Sequence, residues 1–184
     1  GNQYGRSNKT YKNTNVLHNR KAFALNQFNL ITQQFVWGNV NDPDVYPDYT
    51  IRQMAGSFRF RQMFSQLADE LIDLGENNKA GALIDLAISI FPEEKFPYDY
   101  FSVELARCYY KMGADVKGDS LAEDIFRSAD QNLEYFMQGS DFNKNTLNSD
   151  AQLQVFLMQE ITRLTGKYNR HLKDELVAAY EKYY

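Results

Sequence analysis

The chain has 184 residues, a formal net charge of -4 at pH 7 and a single cysteine. This length suits one domain with a sizeable core. The acidic and basic residues are interspersed and form no basic patch, so we expect no nucleic-acid partner. One cysteine excludes an intramolecular disulfide. No apolar run reaches the ~18 residues that are needed to cross a bilayer.

The first part of the chain divides into a polar lead-in, a helix and a loop. Residues 1–20 are Asn-rich and lack a hydrophobic period, so we interpret them as extended or partly disordered. Residues 21–184 are predicted to form one helical domain. Apolar residues recur with helical spacing from Lys21, which predicts a first helix that ends near Trp37. The next segment, 39–48, has two prolines and five Asn or Asp residues and is predicted to be a loop.

Six further helices are predicted from their apolar spacing and end signals. A long helix over 49–74 is closed by Gly75, which suits a C-terminal cap. Asn77 or Asn78 can cap the next helix, and Pro92 prevents its extension. No segment shows the alternation of a strand, so the predicted fold is all-α with about seven helices. The remaining four are predicted over 100–112, 115–138, 149–164 and 169–183.

The stretch from Arg61 to Pro92 has the spacing of a helical hairpin that recurs along the chain. In a unit of about 34 residues, Gly75 supplies the turn, and small residues occupy the positions at which paired helices cross. A longer side chain at such a position would push the two helices apart. These small residues are Ala68, Ala80 and Ala87. The stretch resembles a tetratricopeptide repeat, and the resemblance implies tetratricopeptide-like stacked helical hairpins.

Two more units are predicted after this hairpin. The second is offset by 38 residues, with Gly113 as its turn and Gly118 at a small position. The third is a degenerate cap, with Gly166 as its turn and Ala178 at a small position. The alternative is a generic helical bundle with coincidental alanines. The predicted repeats lie near 61–94, 99–138 and 149–184.

The resemblance also implies where a binding groove would lie. In tetratricopeptide families the first helix of each hairpin lines a concave face. The groove positions of the first hairpin fall on Gln62, Ser65, Asp69 and Ile72. Those of the second hairpin fall on Tyr100, Val103, Arg107 and Tyr110. The second set is the better candidate for a protein or peptide partner because Tyr and Arg dominate interface energetics. The alternative is a solvated face with the tyrosines partly packed.

The loop before the hairpin is a second candidate surface. Trp37 and Tyr46 can form an aromatic platform for a partner or a sugar ring, or both rings can pack against the hairpin. Asp42, Asp44 and Asp48 have the oxygen ligands that calcium prefers, but they lack the spacing of a calcium-binding loop. We therefore expect no metal and interpret the aspartates as caps and turn formers.

The residues that most often carry chemistry form no catalytic constellation. His18 and His171 are not in a zinc-ligand spacing, and Cys108 is interpreted as a buried structural thiol. No nucleophile elbow, phosphate loop or dinucleotide fingerprint is present. We therefore expect neither enzymatic activity nor a cofactor.

Two local patterns, FVWGNVNDPDVYPDYTIRQM over 35–54 and PYDYFSVELARCYYKMG over 97–113, indicate a more particular family. They resemble the soluble C-terminal region of bacterial membrane proteins related to protein O-mannosyltransferases. In that family the catalytic acid and the lipid-linked sugar site belong to the membrane part, so no catalytic residue is implied here.

The resemblance covers about residues 21–138. It implies a non-catalytic extramembrane module on the periplasmic side of the inner membrane, soluble as a fragment. Because the sequence begins with Gly1, we interpret it as such a fragment. The implied partner is a protein segment, an acceptor or the module's own membrane domain. A carbohydrate-binding module is the alternative.

Overall fold

The computed structural model describes residues 4–48, 57–138 and 148–181, and the side chains of 16–48, 59–138 and 149–181. Within these residues the chain contains helices and loops and no strand, so the predicted all-α class is confirmed. A π-helical turn, Leu30–Gln34, extends the first helix. The described helices are α1 Tyr4–Asn29, α2 Ser57–Asp73, α3 Asn77–Ile90, α4 Tyr100–Lys111, α5 Asp115–Gln138, α6 Asn148–Tyr168 and α7 Arg170–Tyr180.

The start of the chain differs from the prediction. Residues 4–20, expected to be extended or partly disordered, form the first part of α1. The hydrophobic period that signals a helix is confined to the second part of α1 and the π-helical turn, where Ala24 and Ile31 are buried. The polar first part therefore carried no pattern from which its helix could be predicted. The predicted start of the second helix at residue 49 lies outside the described residues.

The helices pack as the stacked hairpins that the repeat spacing predicts. Within the hairpins, α2 packs on α3, α4 on α5 and α6 on α7. Neighbouring hairpins meet through their first helices, α2 with α4 and α4 with α6, and α5 also packs on α6. The remaining helix, α1, packs on α2 at the other end of the array.

Two predicted turns and one predicted cap position these hairpins. Gly75 and Gly113 follow α2 and α4 with φ of 77° and 80°, a left-handed conformation that glycine adopts without steric cost. Asp99 caps α4: its carboxylate accepts from the Ser102 N–H at 3.0 Å, and its own N–H donates to the Ser102 hydroxyl at 3.2 Å. The predicted cap of α3 at Asn77 or Asn78 is wrong, because the residue before the helix is Glu76.

The third hairpin departs from the predicted unit. α6 continues through Gly166, and α7 begins after Asn169, whose side chain accepts from the Leu172 N–H at 3.2 Å. The amide of Asn169 also donates to Asp119 on α5 at 3.0 Å, which fixes the turn against the second hairpin. The predicted turn at Gly166 is therefore wrong, and Ala178 is exposed and does not lie at a helix crossing.

Aligning the second helices of the hairpins on their first residues shows how the third one differs. Lys173 stands at the position of Ala80 and Gly118, and Tyr180 stands at the position of Ala87. The stem of Lys173 faces α6, where a Cβ built on Gly166 would lie 3.6 Å from it. The third hairpin therefore places a long side chain at the crossing where the first two hairpins have a small residue.

The crossing in the second hairpin requires glycine. A Cβ built on Gly118 would lie 2.8 Å from the ring of Tyr110, well inside van der Waals contact. The ring cannot withdraw easily, because it stacks on Tyr168 of α6 with centroids 4.7 Å apart. Gly118 therefore lets α4 and α5 approach each other around a buried tyrosine.

Gly118→Ala is expected to lower the free energy of unfolding by about 1–3 kcal/mol, because the added methyl group overpacks the site. The control is Gly81→Ala in α3, where a new Cβ meets the flexible Met112 side chain at an ordinary 3.6 Å. This control should gain about 0.5–1 kcal/mol, since alanine is the better helix former. Urea denaturation measures both values, and equal effects would contradict the close crossing.

Candidate functional site

Two predicted groove residues, Asp69 on α2 and Arg107 on α4, belong to an ion-pair network. Arg107 lies 3.1 Å from Asp69 on α2 and 2.7 Å from Glu104 on its own helix. Lys111 donates to Asp69 at 2.7 Å and to Asp73 at 2.5 Å. The network therefore joins α2 to α4 across the face that the two helices share.

The contacts of this network shift the pKa values of Asp69 and Arg107 in the directions that favour their charged forms. Burial raises the pKa of Asp69, but hydrogen bonds from Lys111 and Arg107 outweigh it and hold that pKa below its usual value. Burial lowers the pKa of Arg107, and its hydrogen bond to Glu104 more than compensates. Two cations face three carboxylates, so the charges nearly cancel. This face consequently has little power to select a charged partner.

Three predicted groove residues do not line an open groove. Ser65, Val103 and Tyr110 are 4%, 3% and 3% exposed. The Tyr110 hydroxyl donates to Asp119 at 2.7 Å, so its polar atom is also used within the protein. These positions, transferred from the family pattern, face neighbouring helices in this chain. Tyr100 remains partly exposed, and its ring centroid lies 6.1 Å from that of Phe156 on α6.

The predicted aromatic platform of the loop is only partly present. The ring centroid of Trp37 lies 5.3 Å from that of Phe60 and 5.4 Å from that of Phe64. Its indole N–H donates to the Ile31 carbonyl at 3.3 Å. Trp37 is thus packed into the hairpin, whereas Tyr46 is 80% exposed.

A buried lysine holds this loop in place. The Lys95 ammonium donates to the carbonyl oxygens of Asp42, Val45 and Val40. The carboxylate of Asp42 accepts from the Asp44 N–H at 3.0 Å, which is the turn-forming role predicted for it. In the described parts of the chain, no three His, Cys, Asp or Glu residues are grouped so that they could hold a metal ion.

A second buried cation, Arg61, holds the adjacent loop 91–99. Its guanidinium donates to the carboxylate of Asp99, the cap of α4, at 3.2 Å. Burial lowers the pKa of Arg61 and the charge of Asp99 opposes this shift, but an arginine remains charged in proteins. The same guanidinium donates at 3.0, 2.6 and 2.7 Å to the carbonyl oxygens of Phe91, Phe96 and Pro97.

An open cleft of about 520 Å³ lies between α1 and α2. Phe23, at its edge, is 67% exposed although it is a large apolar side chain. Apolar groups of both helices line the cleft: Phe23, Ala24, Ile31, Met63 and Leu67. Amide side chains complete the walls: Gln27, Gln62 and Gln66. Of the predicted groove residues, Gln62 alone lines this cleft.

Ion pairs attach α1 to α2 beside the cleft. Arg20 donates to both carboxylate oxygens of Glu70, at 3.0 and 2.7 Å. Lys21 lies 2.6 Å from Glu76, and Lys79 lies 2.6 Å from the same carboxylate. Hydrogen bonds from Lys21 and then Lys79 lower the pKa of Glu76 to about 2. Because Lys21 pairs with the residue just before α3, it places this part of α1 at the end of α2.

The thiol and the buried tyrosine hydroxyls are poorly placed for chemistry. Burial raises the pKa of Cys108 to about 12, so the thiol is neutral at pH 7 and a weak nucleophile. Burial and the hydrogen bond to Asp85 raise the pKa of Tyr109, whose hydroxyl lies 2.5 Å from that carboxylate. These groups hold helices together, and the cleft between α1 and α2 remains the best candidate for binding.

Comparison with protein-family models, curated proteins and solved structures finds no match. The functional interpretation therefore rests on the geometry of the chain itself. Among the described helices, none has an apolar stretch long enough to span a bilayer.

Arg61→Met is expected to lower the free energy of unfolding by about 3–5 kcal/mol, because buried carbonyl groups and Asp99 lose their charged donor. The matched control is Arg59→Met, an exposed arginine two positions earlier, which should change stability by less than about 0.5 kcal/mol. Chemical denaturation of both variants provides the comparison. A free energy of unfolding in Arg61→Met equal to that of the wild type would show that the hydrogen bonds of the Arg61 guanidinium are not required for the fold.

Glu76→Gln is expected to reduce the loss of stability in acid. The folded-state pKa of Glu76 is about 2, below the usual value of about 4.3 for an unfolded chain. Its contribution is therefore present above about pH 4.3 and is lost as pH falls towards 2. Urea denaturation from pH 6 to pH 2 should show a shallower decline in the variant. Glu94→Gln, at an exposed loop residue, is the control, and a wild-type decline in Glu76→Gln would refute the assignment.

Proposed function

We propose that this chain is a non-catalytic protein-interaction module that holds a segment of a partner protein in the cleft between α1 and α2. The observation that carries the proposal is Phe23, an aromatic side chain 67% exposed at the edge of an open, apolar cleft. Aromatic side chains beside a preformed cleft are the usual anchors of protein interfaces.

The polar groups of the cleft also suit binding. The amide groups of Gln27, Gln62 and Gln66 make no hydrogen bond to another described residue, so each offers a donor and an acceptor to a ligand. The titratable side chains that line it are Arg20 and Glu70, which pair with each other, and Arg59. This set can orient a ligand but provides no nucleophile with an adjacent base.

The wall of the cleft formed by α2 is supported on its other sides. The network of Asp69, Arg107 and Lys111 joins α2 to α4, and Trp37 packs against Phe60 and Phe64 of α2. A wall that is already ordered costs a ligand less conformational entropy on binding. The support of α2 therefore favours the cleft as a preformed site.

The carbohydrate-binding alternative has less support. This alternative requires Trp37 and Tyr46 to form an exposed platform on which a sugar ring stacks. Since the Trp37 ring is packed against the hairpin, Tyr46 alone of this pair is available for stacking. The proposal of a protein segment in the cleft is therefore preferred to a glycan at the loop.

The wider setting of the proposal comes from residues 35–54 and 97–113. Their resemblance to O-mannosyltransferase-like membrane proteins supports a periplasmic, extramembrane module that contacts its own membrane domain or positions an acceptor. The full-length reading frame tests this setting. Membrane-spanning helices encoded upstream of Gly1 support it, and a reading frame without them contradicts it.

Phe23→Ala is expected to weaken ligand binding about fivefold or more, because truncating an interface anchor costs more than about 1 kcal/mol. The ligands are peptides about as long as α2, selected from a random display library against the whole chain and titrated by fluorescence anisotropy. The melting temperature should not change, since the side chain is largely exposed in the free chain.

The matched control is Tyr135→Ala on α5, at an exposed aromatic residue outside the cleft. It should bind the selected peptides as the wild type does. If Phe23→Ala also binds them as tightly as the wild type, the cleft is not the binding site.

A further inference from the structure

We infer that the occupant of the α1–α2 cleft is an amphipathic helix of a partner protein, parallel to α2 and acidic in its first turn. The inference rests on the proposed function and names the shape and charge of the segment that the cleft holds. It comes from the internal repetition of the chain, because the matching surface of the next hairpin is already covered by a helix.

The repetition relates the residues of the cleft to residues of α4. The offset of 38 residues that carries Gly75 onto Gly113 also carries the buried Ala68 onto the buried Ala106. On α2 the cleft is lined by a stripe of residues spaced three and four apart: Arg59, Gln62, Met63, Gln66, Leu67 and Glu70. The offset carries this stripe onto Pro97, Tyr100, Phe101, Glu104, Leu105 and Cys108.

The stripe on α4 is a surface against which a helix packs. Leu105 and Cys108 are buried, and the Cys108 thiol donates to the carbonyl of Ser65 on α2 at 3.7 Å. α2 therefore covers the stripe at Cys108, whereas the Tyr100 ring nearer its start lies beside Phe156 of α6. At the matching positions of α2, Leu67 and Glu70 are only half-buried. The equivalent helix-binding surface of α2 is therefore incompletely covered.

The covering helix sets the direction expected for the occupant. Arg61 near the start of α2 binds Asp99 at the start of α4, and Asp73 binds Lys111 at the ends of both helices. α2 and α4 therefore run parallel. By the same repetition, a helix that covers the stripe on α2 would run parallel to α2.

α1 leaves room for this additional helix. It runs antiparallel to α2, since Lys21 pairs with Glu76 after the end of α2, whereas Ile31 lines the cleft together with Arg59 near its start. Ala24 of α1 and Ile31 of the π-helical turn are buried, but Phe23 remains on the open side. A helix laid over the cleft would cover the apolar groups of both walls.

The charge at one end of the cleft favours an acidic first turn. A helix parallel to α2 would begin beside Arg59, which is exposed and has no salt bridge with another described residue. A Glu or Asp in the first turn would pair with Arg59 and would also be stabilised by the occupant's own helix dipole. At the opposite end Arg20 and Glu70 already pair with each other and favour neither charge.

The experiment uses the peptides selected against the whole chain whose binding depends on Phe23. The inference predicts apolar residues at helical spacing and Glu or Asp near the peptide's amino end. Proline in the middle of the tightest peptide should weaken binding about 100-fold relative to alanine there, since it breaks the helix at a cost of about 3 kcal/mol. Arg59→Glu should weaken peptides with Glu in the first turn more than their Gln versions.

The other outcomes separate this inference from the proposed function. Selected peptides whose binding depends on Phe23 could instead tolerate proline and show alternating apolar and polar residues. That result would overturn the inference that the occupant is helical and would leave the proposed function standing. An absence of peptides that depend on Phe23 would overturn both. A dimer of the free chain that Phe23→Glu dissociates, measured by sedimentation, would show that a second copy fills the cleft and would overturn the partner helix.

Discussion

The arrangement of the α2–α3 and α4–α5 hairpins depends on the hydrogen bonds of the buried Arg61 guanidinium. A buried charge is costly unless every donor is satisfied, and this one is surrounded by three carbonyl groups and the carboxylate of Asp99. The acceptors belong to the end of α3, the following loop and the cap of α4. One side chain of α2 therefore fixes where the second hairpin begins.

Lys95 has a similar role in the loop between α1 and α2. Its ammonium donates hydrogen bonds to carbonyl oxygens of the loop that follows α1. Trp37, in the same segment, packs against Phe60 and Phe64. The side chains of Arg61 and Lys95 thus fix the conformations of two loops, 91–99 and the loop after α1, by hydrogen bonds to their carbonyl groups. Arg61 ties α2 to the end of α3 and the start of α4, whereas the side of α2 towards α1 lines the open cleft.

The attachment of α1 is different in character. Its ion pairs, Arg20 with Glu70 and Lys21 with Glu76, are partly exposed, so solvent screens them and each stabilises the fold less than a buried pair would. The cleft therefore has one firmly held wall and one wall that can adjust at low energetic cost. The adjustable wall can accommodate an apolar segment, and the firmly held wall keeps that segment aligned along α2.

The sequence predicted those features that depend on local spacing. Gly75, Gly113 and the Asp99 cap are short-range signals, and the small residues at helix crossings follow from the repeat. The role of Arg61 could not be predicted, because its acceptors are carbonyl groups of a loop 30 to 36 residues away. The Asn169 turn was missed because Gly166, the more obvious turn residue, lies within α6.

The candidate site was largely beyond prediction for a related reason. Phe23 precedes Ala24 by one residue and lies off the buried stripe of α1, so nothing in the sequence distinguished it from an ordinary exposed side chain. Its importance comes from the placement of α1 against α2. Three of the positions that the family pattern assigns to a groove, Ser65, Val103 and Tyr110, are buried in this chain. Tyr110 fills the space over Gly118 instead of facing a ligand.

A crystal structure of the chain with its tightest selected peptide would show whether the α1–α2 cleft is the binding surface. We expect peptide density in the cleft, in contact with Phe23 and Met63. Density over the ion pairs of α2 and α4, or beside Tyr46, with the cleft unoccupied would contradict it.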